Sequence, residues 1–433
     1  MTKKYQMIEF DTSALAVPEQ VNVMMEEIAA DMREGLLALA VGAGLQVMQS
    51  LMEADVAAAC GPKGKHDPDR TATRHGTERG SVTLGGRRVP ITRPRVRAID
   101  GRGEVPVPAY EVFNGTELLA KMAMERMLAG VSTRRYPVAL EPVGEQVATE
   151  ASSTSRSAVS RKFVAMTEHA LVDLLARDLS EVDLVALMID GVHFADHLCV
   201  VALGIDIDGV KHPLAVVEGS TENTTLVRGL LVGLRERGLD VTKAILAVQD
   251  GAKALSAAVK EVFDKPVIAR CQIHKLRNVC DHLPEKMRGP VGKRMRQAYH
   301  ADSALEAEAL LSALAKELDK THPGAAGSLR EGMAETLTVL RLDVPPTLAR
   351  TLRSTNAIES MISISRDHSR NVKRWRDGQM ALRWCAAGMA EASKQFRRVN
   401  GHLHLAALRT SLERHVAPET VGADCNTQDV SAA

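Results

Sequence analysis

Aromatic side chains are scarce in this chain of 433 residues, which has six Phe, four Tyr and two Trp. Its cores must therefore be built from Leu, Val, Ile, Ala and Met. Cysteine is scarce as well. The six thiols (Cys60, Cys199, Cys271, Cys280, Cys385 and Cys425) follow no framework spacing, which speaks against a disulfide scaffold and for reduced thiols in a cytosolic protein. Apolar runs such as Leu36 to Leu45 fall short of a membrane span. The first residues, Met1-Thr2-Lys3-Lys4, are polar and no apolar signal core follows. What remains is a soluble globular protein, long enough for roughly two to four domains.

A dominant charge is missing too, since the net value is +1, yet the charge is segregated. Residues 61–105 carry eleven Lys/Arg against five Asp/Glu, residues 265–298 nine against two, and residues 341–400 twelve against five. Three basic blocks can bind a polyanion locally in a near-neutral chain. Each could equally be a solvated face.

Residues 1–15 read as unstructured. Residues 18–59 have helical spacing (Val21, Met24, Met25, Ile28, then Leu36, Leu37, Leu45, Met48, Leu51, Met52). Gly61 to Asp69 is a breaker-rich linker. Alternation over 74–99, with Gly85-Gly86 in the middle, predicts a β-hairpin whose second strand displays Arg87, Arg93, Arg95 and Arg97. Pro90 and Pro94 confine that strand to a sheet edge. Such a ribbon suits a phosphate backbone; its bland counterpart is an edge charged against aggregation. Helical patterns at Glu117–Ala129, at Thr133–Leu140 after Gly130-Val131-Ser132, and from Arg156 onward outline a helix-turn-helix reader, with Arg156, Arg161 and Lys162 as candidate DNA contacts.

From Asp183 the order reads β-β-β-α-β-α-β: Leu184–Phe194, Leu198–Ile205, His212–Val217, Thr224–Arg237, Ala244–Val248, Ala254–Phe263 and Val267–Cys271. In that order the first and fourth strands can lie parallel and adjacent, so that Asp190 and Asp250 share one edge. Asp-Gly is an ordinary turn dipeptide, present five times, but only these two copies end strongly apolar strands. Two carboxylates side by side repel unless a cation sits between them, which points to a divalent metal and phosphoryl transfer. A third carboxylate is offered by Glu359, with Asp343 and Asp367 as alternatives. Asn356 and Glu359 also resemble a capping box. Cys271-Gln-Ile-His274 leaves the fifth strand. A zinc site from His274, Cys280 and His282 has no common spacing. Residues 274–340 read as helical, interrupted at Pro284, Gly289-Pro290 and Pro323-Gly324, and Pro345-Pro346 breaks the chain again. The basic run Arg370, Lys373, Arg374, Arg376 around Trp375 suits neutralisation of DNA and base stacking; otherwise it is a solvated helix with a buried Trp.

Taken together, Met188-Ile-Asp-Gly191, Val248-Gln-Asp-Gly251, Cys271-Gln-Ile-His274, Ser354-Thr-Asn-Ala-Ile-Glu-Ser360, Lys373-Arg-Trp375 and Leu128-Ala-Gly-Val-Ser-Thr-Arg134 resemble the Mutator-type transposases of bacterial insertion sequences. These belong to the DDE superfamily, with its ribonuclease-H-like core. The resemblance covers about residues 20–412; the Arg-heavy stretch 61–105 departs from it. It implies a multidomain α/β protein with a ribonuclease-H-like mixed sheet, interrupted by an α-helical insertion, and a mainly helical N-terminal DNA-binding region containing a β-hairpin. The expected domains are 1–60 (helical, oligomerisation or DNA end contact), 61–110 (basic linker and hairpin), 111–178 (helix-turn-helix-like), 179–272 (first part of the core), 273–353 (insertion), 354–412 (C-terminal helices of the core) and 413–433 (disordered tail).

The resemblance further implies Asp190, Asp250 and Glu359 as a catalytic triad holding two Mg²⁺ ions, with Mn²⁺ able to substitute. Cys271 and His274 lie near the active site, and Lys275 and Arg277 join the candidate DNA contacts. The implied activity is DNA cleavage followed by strand transfer at terminal inverted repeats, by a homodimer or higher oligomer acting on nucleoid DNA in a bacterial cytoplasm, with no membrane partner. A nuclease or resolvase that cuts without joining, and a non-catalytic DNA-binding regulator, are the competing readings.

Overall fold

The computed structural model describes residues 35–417, apart from His66, Ser220 and Glu222. The expectations for residues 1–34 and for 418–433 lie outside the described residues. The chain divides into two compact units, residues 1–166 and 167–433.

In the first unit, helix α1 (Leu36–Cys60) precedes strands β1 (Ala72–Leu84), β2 (Arg87–Ala98) and the two-residue β3 (Glu104–Val105), in sheet order β1-β2-β3. The Gly85-Gly86 turn has φ +53° and +80°, the left-handed pair that a two-residue hairpin needs. Met48, Met52 and Val56 of α1 pack with Val82, Val89 and Val96 of the hairpin and with Tyr110. The face of α1 buried here is thus not the one that starts from Leu36, Leu37 and Leu51, all of which are exposed. By length and composition α1 is also apolar enough to cross a bilayer, because the apolar run does not stop at Leu45.

The edge-strand expectation for β2 is refined. Its far side pairs with Ser152 at Arg88 and with β3 at Val96 and Arg97. Arg88 N–H donates to the Ser152 carbonyl and Ala98 N–H to the Gly103 carbonyl. Pro90 and Pro94 share that parity, so the ladder on this side is interrupted, among the described residues, where neither proline has an N–H to offer.

Helices α2 (Pro108–Asn114), α3 (Glu117–Leu128), α4 (Glu145–Glu150) and α5 (Arg156–Ala176) complete this part, α5 running on into the second unit. The expected helix at Thr133–Leu140 is not formed: turns and a single 3₁₀ turn, Pro137–Ala139, replace it. Pro137 falls inside the expected helix, where it has no N–H to donate to the preceding turn. Tyr136 is buried and donates its hydroxyl to the Gly86 carbonyl, which ties this segment to the hairpin turn. The helix-turn-helix outline therefore lacks its second helix.

The second unit is built on a five-stranded sheet, order β6-β5-β4-β7-β8. Its strands are β4 (Leu184–Phe194), β5 (His197–Asp206), β6 (Lys211–Gly219), β7 (Ile245–Gln249) and β8 (Pro266–Arg270), with α6 (Thr224–Glu236) and α7 (Lys253–Val262) as crossovers. β4, β5 and β6 form the antiparallel meander; β4, β7 and β8 are parallel. One sheet face packs Leu187, Ile189, Ala247 and Ile268 against α6 and α7. The other packs Met188, Val192, Leu246, Val248 and Ala269 against helices late in the chain.

Between β8 and those helices come α8 (Gln272–Asp281), α9 (Glu285–Ala298), α10 (Ala304–Asp319), α11 (Pro323–Arg330), α12 (Met333–Thr336), α13 (Thr338–Arg341) and α14 (Pro346–Leu352). Residues from Val279 to Leu337 form an apolar cluster of their own. Most of the expected breaks are helix starts instead. Pro323 and Pro346 occupy first-turn positions, where no intrahelical N–H is needed. Pro290 stands inside α9 without ending it.

Three helices close the unit: α15 (Asn356–Ser369), α16 (Gly378–Ser393) and α17 (Leu405–Val416). The expected tail from residue 413 is corrected, since α17 continues to Val416 with Leu412 buried.

Candidate active site

The parallel register pairs Met188 with Val248, and each stands two residues before an aspartate, Asp190 on β4 and Asp250 just past the end of β7. Strand parity decides where Asp190 points. Asp190 alternates with Met188 and Val192, and Asp250, one step beyond β7, alternates with Val248. By that alternation Asp190 belongs to the sheet face covered by α15, whose Ile358, Met361 and Ile362 are buried in the same cluster as Met188, Val192 and Val248. Gly191 N–H donates to Asp190 Oδ1 at 2.8 Å and Ala252 N–H to Asp250 Oδ1 at 2.9 Å. Gly251 has φ +108°, which makes this Asp-Gly a true turn fixing the second carboxylate.

Cys271 continues the parity of Val267 and Ala269 and reaches the same face. It is the N-cap residue of α8, and His274 lies one turn on. Thr355, completely buried, precedes α15. Its hydroxyl donates to Glu359 Oε1 at 2.6 Å and lies 3.4 Å from both Cys271 Sγ and His274 Nδ1. His274 Nδ1 is 3.9 Å from Glu359 Oε1. The capping-box alternative for Glu359 is overturned: α15 is capped at Thr355, and the Glu359 carboxylate takes the Thr355 hydroxyl. Asp343 and Asp367 are both exposed.

The hydrogen bond to Cys271 raises His274 above the ordinary imidazole range against the effect of burial, and the charges of Cys271, Glu359 and Asp190 add to it. Asp190 is thus electrostatically within reach of His274. Burial pushes the Cys271 thiol up, but hydrogen bonds from His274 and Thr355 outweigh it and hold the thiol below its usual range. Among the described residues, the three donors that converge within 4.8 Å of one another are Cys271, His274 and Glu359. The alternative trio with Cys280 and His282 does not gather: Cys280 is buried and its thiol faces the Arg288 carbonyl.

The candidate DNA contacts divide. Arg156, Arg161, Arg277, Arg370, Lys373, Arg374, Arg376 and Arg97 are exposed. Arg87 is not displayed: it is buried, and its guanidinium donates to the Glu141 carbonyl at 2.7 Å. Lys275 is likewise inside, 2% exposed, donating to the Ser328 and Glu331 carbonyls at 2.7 and 2.6 Å; it closes the end of α11 rather than facing solvent. Arg93 pairs with Glu78 and stacks on Tyr110. Arg95 pairs with Glu104 and Glu78. Lys162 is half-buried and donates to the Ser153 carbonyl. Trp375 is not an open stacking platform: its ring packs on Phe194 at 4.9 Å and against Trp384 at 6.3 Å. Residues 372–377 around it form no regular element, and Arg370 lies in the turn that follows α15.

Thr355 is the residue of this cluster that the motif Ser354-Thr-Asn contained without announcing. Its signal was a hydroxyl four residues before the glutamate, one helical turn away.

These features define a mixed α/β protein in which Asp190 and Asp250 lie toward the carboxyl ends of two adjacent parallel strands. The chain matches the family model described as transposase, Mutator family, over residues 18–399, and it belongs to that family. It is similar to the transposase for insertion sequence element ISRM5 of Rhizobium meliloti (strain 1021), 27% identical over 367 residues, spanning 84% of this chain and 90% of that protein. It is also similar to the transposase for IS6120 of Mycolicibacterium smegmatis, 28% identical over 287 residues (65% and 86%). A third relative is the transposase for IS256 in transposon Tn4001 of Staphylococcus aureus, 27% identical over 307 residues (68% and 74%).

Proposed function

We propose that the chain catalyses metal-dependent DNA strand cleavage and strand transfer at the ends of an insertion sequence, with Asp190, Asp250 and Glu359 as its catalytic carboxylates. The observation that supports this reading is the parallel pairing of β4 with β7: the aspartates follow Met188 and Val248, which share an apolar cluster with Ile358 and Met361 of the helix that bears Glu359. Hard carboxylate oxygens suit Mg²⁺, and the three side chains are the donors that would hold it. When bound, such ions supply charge stabilisation at attacking and leaving oxygens in an in-line phosphoryl displacement.

The chain's own residues do the rest. Thr355 orients the Glu359 carboxylate, and His274, part-exposed beside it, can donate a hydrogen bond to a phosphate oxygen. Exposed Arg370, Lys373, Arg374 and Arg376 neutralise DNA phosphates, and Trp375 anchors their run to the sheet. No covalent protein–DNA intermediate is invoked. In this reading the sheet is a ribonuclease-H-like core, residues 273–353 are a helical insertion, and at least two copies act on double-stranded DNA carrying inverted repeats. Asp250→Asn is expected to keep end-specific DNA binding and to lose both nicking and joining in Mg²⁺; robust strand transfer by that variant would sink the assignment. A 3′-hydroxyl donor end incubated with plasmid target separates joining from cutting alone.

A further inference from the structure

Cys271, His274 and Glu359 have chemistry that a Mg²⁺ site does not use. A buried thiol, an imidazole and a carboxylate are the donor types of three-ligand zinc sites that keep a fourth position open. Thiolate selects zinc-like ions over Mg²⁺, which prefers oxygen alone. The separations approach those of such a site and would close on an ion by small side-chain movements. In a tetrahedral zinc site the ligand atoms lie roughly 3.3–3.8 Å apart. Here His274 Nδ1 and Glu359 Oε1 are 3.9 Å apart, and the three donors lie within 4.8 Å of one another. The Thr355 hydroxyl lies 2.6–3.4 Å from all three. Access is open on one side: the His274 and Glu359 side chains keep 26% and 32% of their surface.

We propose that Cys271, His274 and Glu359 bind a thiophilic divalent cation of the Zn²⁺ class, and that its occupancy withdraws Glu359 from the catalytic carboxylates and stops strand transfer. The site overlaps the proposed Mg²⁺ set at one residue. The metal binding itself needs no catalytic assumption. The inhibitory consequence rests on the reading of Glu359 as the third carboxylate.

The test is a Co²⁺ titration of the full chain stripped of metal, followed by thiolate-to-cobalt charge-transfer absorption. The wild type should show a saturable band that Zn²⁺ removes and excess Mg²⁺ does not. The band should vanish in Cys271→Ser and persist in Cys60→Ser, Cys280→Ser and Asp250→Asn. His274→Asn, which alters a part-exposed ring, should weaken Co²⁺ binding at least about tenfold. No band in the wild type, or an undiminished band in folded Cys271→Ser, overturns the site. If circular dichroism finds Cys271→Ser unfolded, unchanged affinity in His274→Asn overturns it instead. In Mg²⁺ reactions, Zn²⁺ at site-saturating concentration should abolish joining; full joining under those conditions overturns the inhibitory consequence. Joining by Asp250→Asn would defeat the catalytic reading independently, whatever the cobalt spectrum shows.

Discussion

Thr355 makes the Glu359 carboxylate a fixed group rather than a mobile surface one. A glutamate on a first helical turn has three side-chain torsions free to wander, and a 2.6 Å hydrogen bond from a buried hydroxyl removes that freedom. Removing an orienting partner typically costs about 10–100-fold in metal affinity or activity. Thr355→Val, which keeps the shape, is therefore expected to lower strand transfer by about that factor and to shift the Mg²⁺ requirement upward. Thr355→Ser should restore both. A Mg²⁺ titration of joining by the three proteins is the measurement, and an unmoved requirement in the valine variant would make Thr355 merely structural. At this scale the sequence was uneven. Asp190 and Asp250 stood out because a carboxylate ending an apolar strand is costly without a partner. Lys275 did not, because its acceptors at Ser328 and Glu331 lie more than fifty residues away and leave no local trace.

Among the elements, the hairpin separates arginines that hold the fold from one that is free to act outside it. Arg87 opens β2 pointing inward to the Glu141 carbonyl, whereas Arg97 lies exposed near its end. Arg97→Ala is expected to weaken DNA binding and to reduce the slope of log K against log salt by about one phosphate's worth. Arg87→Ala should leave that slope alone and cost about 1–3 kcal/mol of stability, read as a lower denaturant midpoint. Equal slopes for wild type and Arg97→Ala would return the exposed edge to a role in preventing aggregation. The strands were legible because alternation and the Gly-Gly turn agree with each other. The helix expected at Thr133–Leu140 was misread because its apolar residues serve a tertiary purpose: Tyr136 is fixed to the Gly86 carbonyl, and Pro137, in the middle of the segment, overrides the periodicity. In α1 a continuous apolar surface hid which face would be buried.

For the molecule as a whole, net charge +1 conceals a distribution suited to a polyanion. Exposed cations occur at Arg156 and Arg161 on α5 and again at Lys373, Arg374 and Arg376 before α16. If about six to ten phosphates are contacted, affinity for duplex DNA should fall by about 10³–10⁵ between 50 and 200 mM salt. Fluorescence anisotropy over that range measures it, and a shallow dependence would restrict contact to one or two cations. The sheet order was readable before the structure because β-β-β-α-β-α-β leaves few right-handed arrangements. The extent of the separate helical cluster was not, since prolines at helix starts look the same in sequence as prolines at breaks.

The chain's two tryptophans lie together, Trp375 in contact with Phe194 and with Trp384. Phe194 ends the strand that carries Asp190. All indole emission thus originates at one spot at the end of the strand that carries Asp190, a built-in optical gauge: a metal ion or a DNA end that shifts β4 or the basic run changes its colour and brightness without any attached dye.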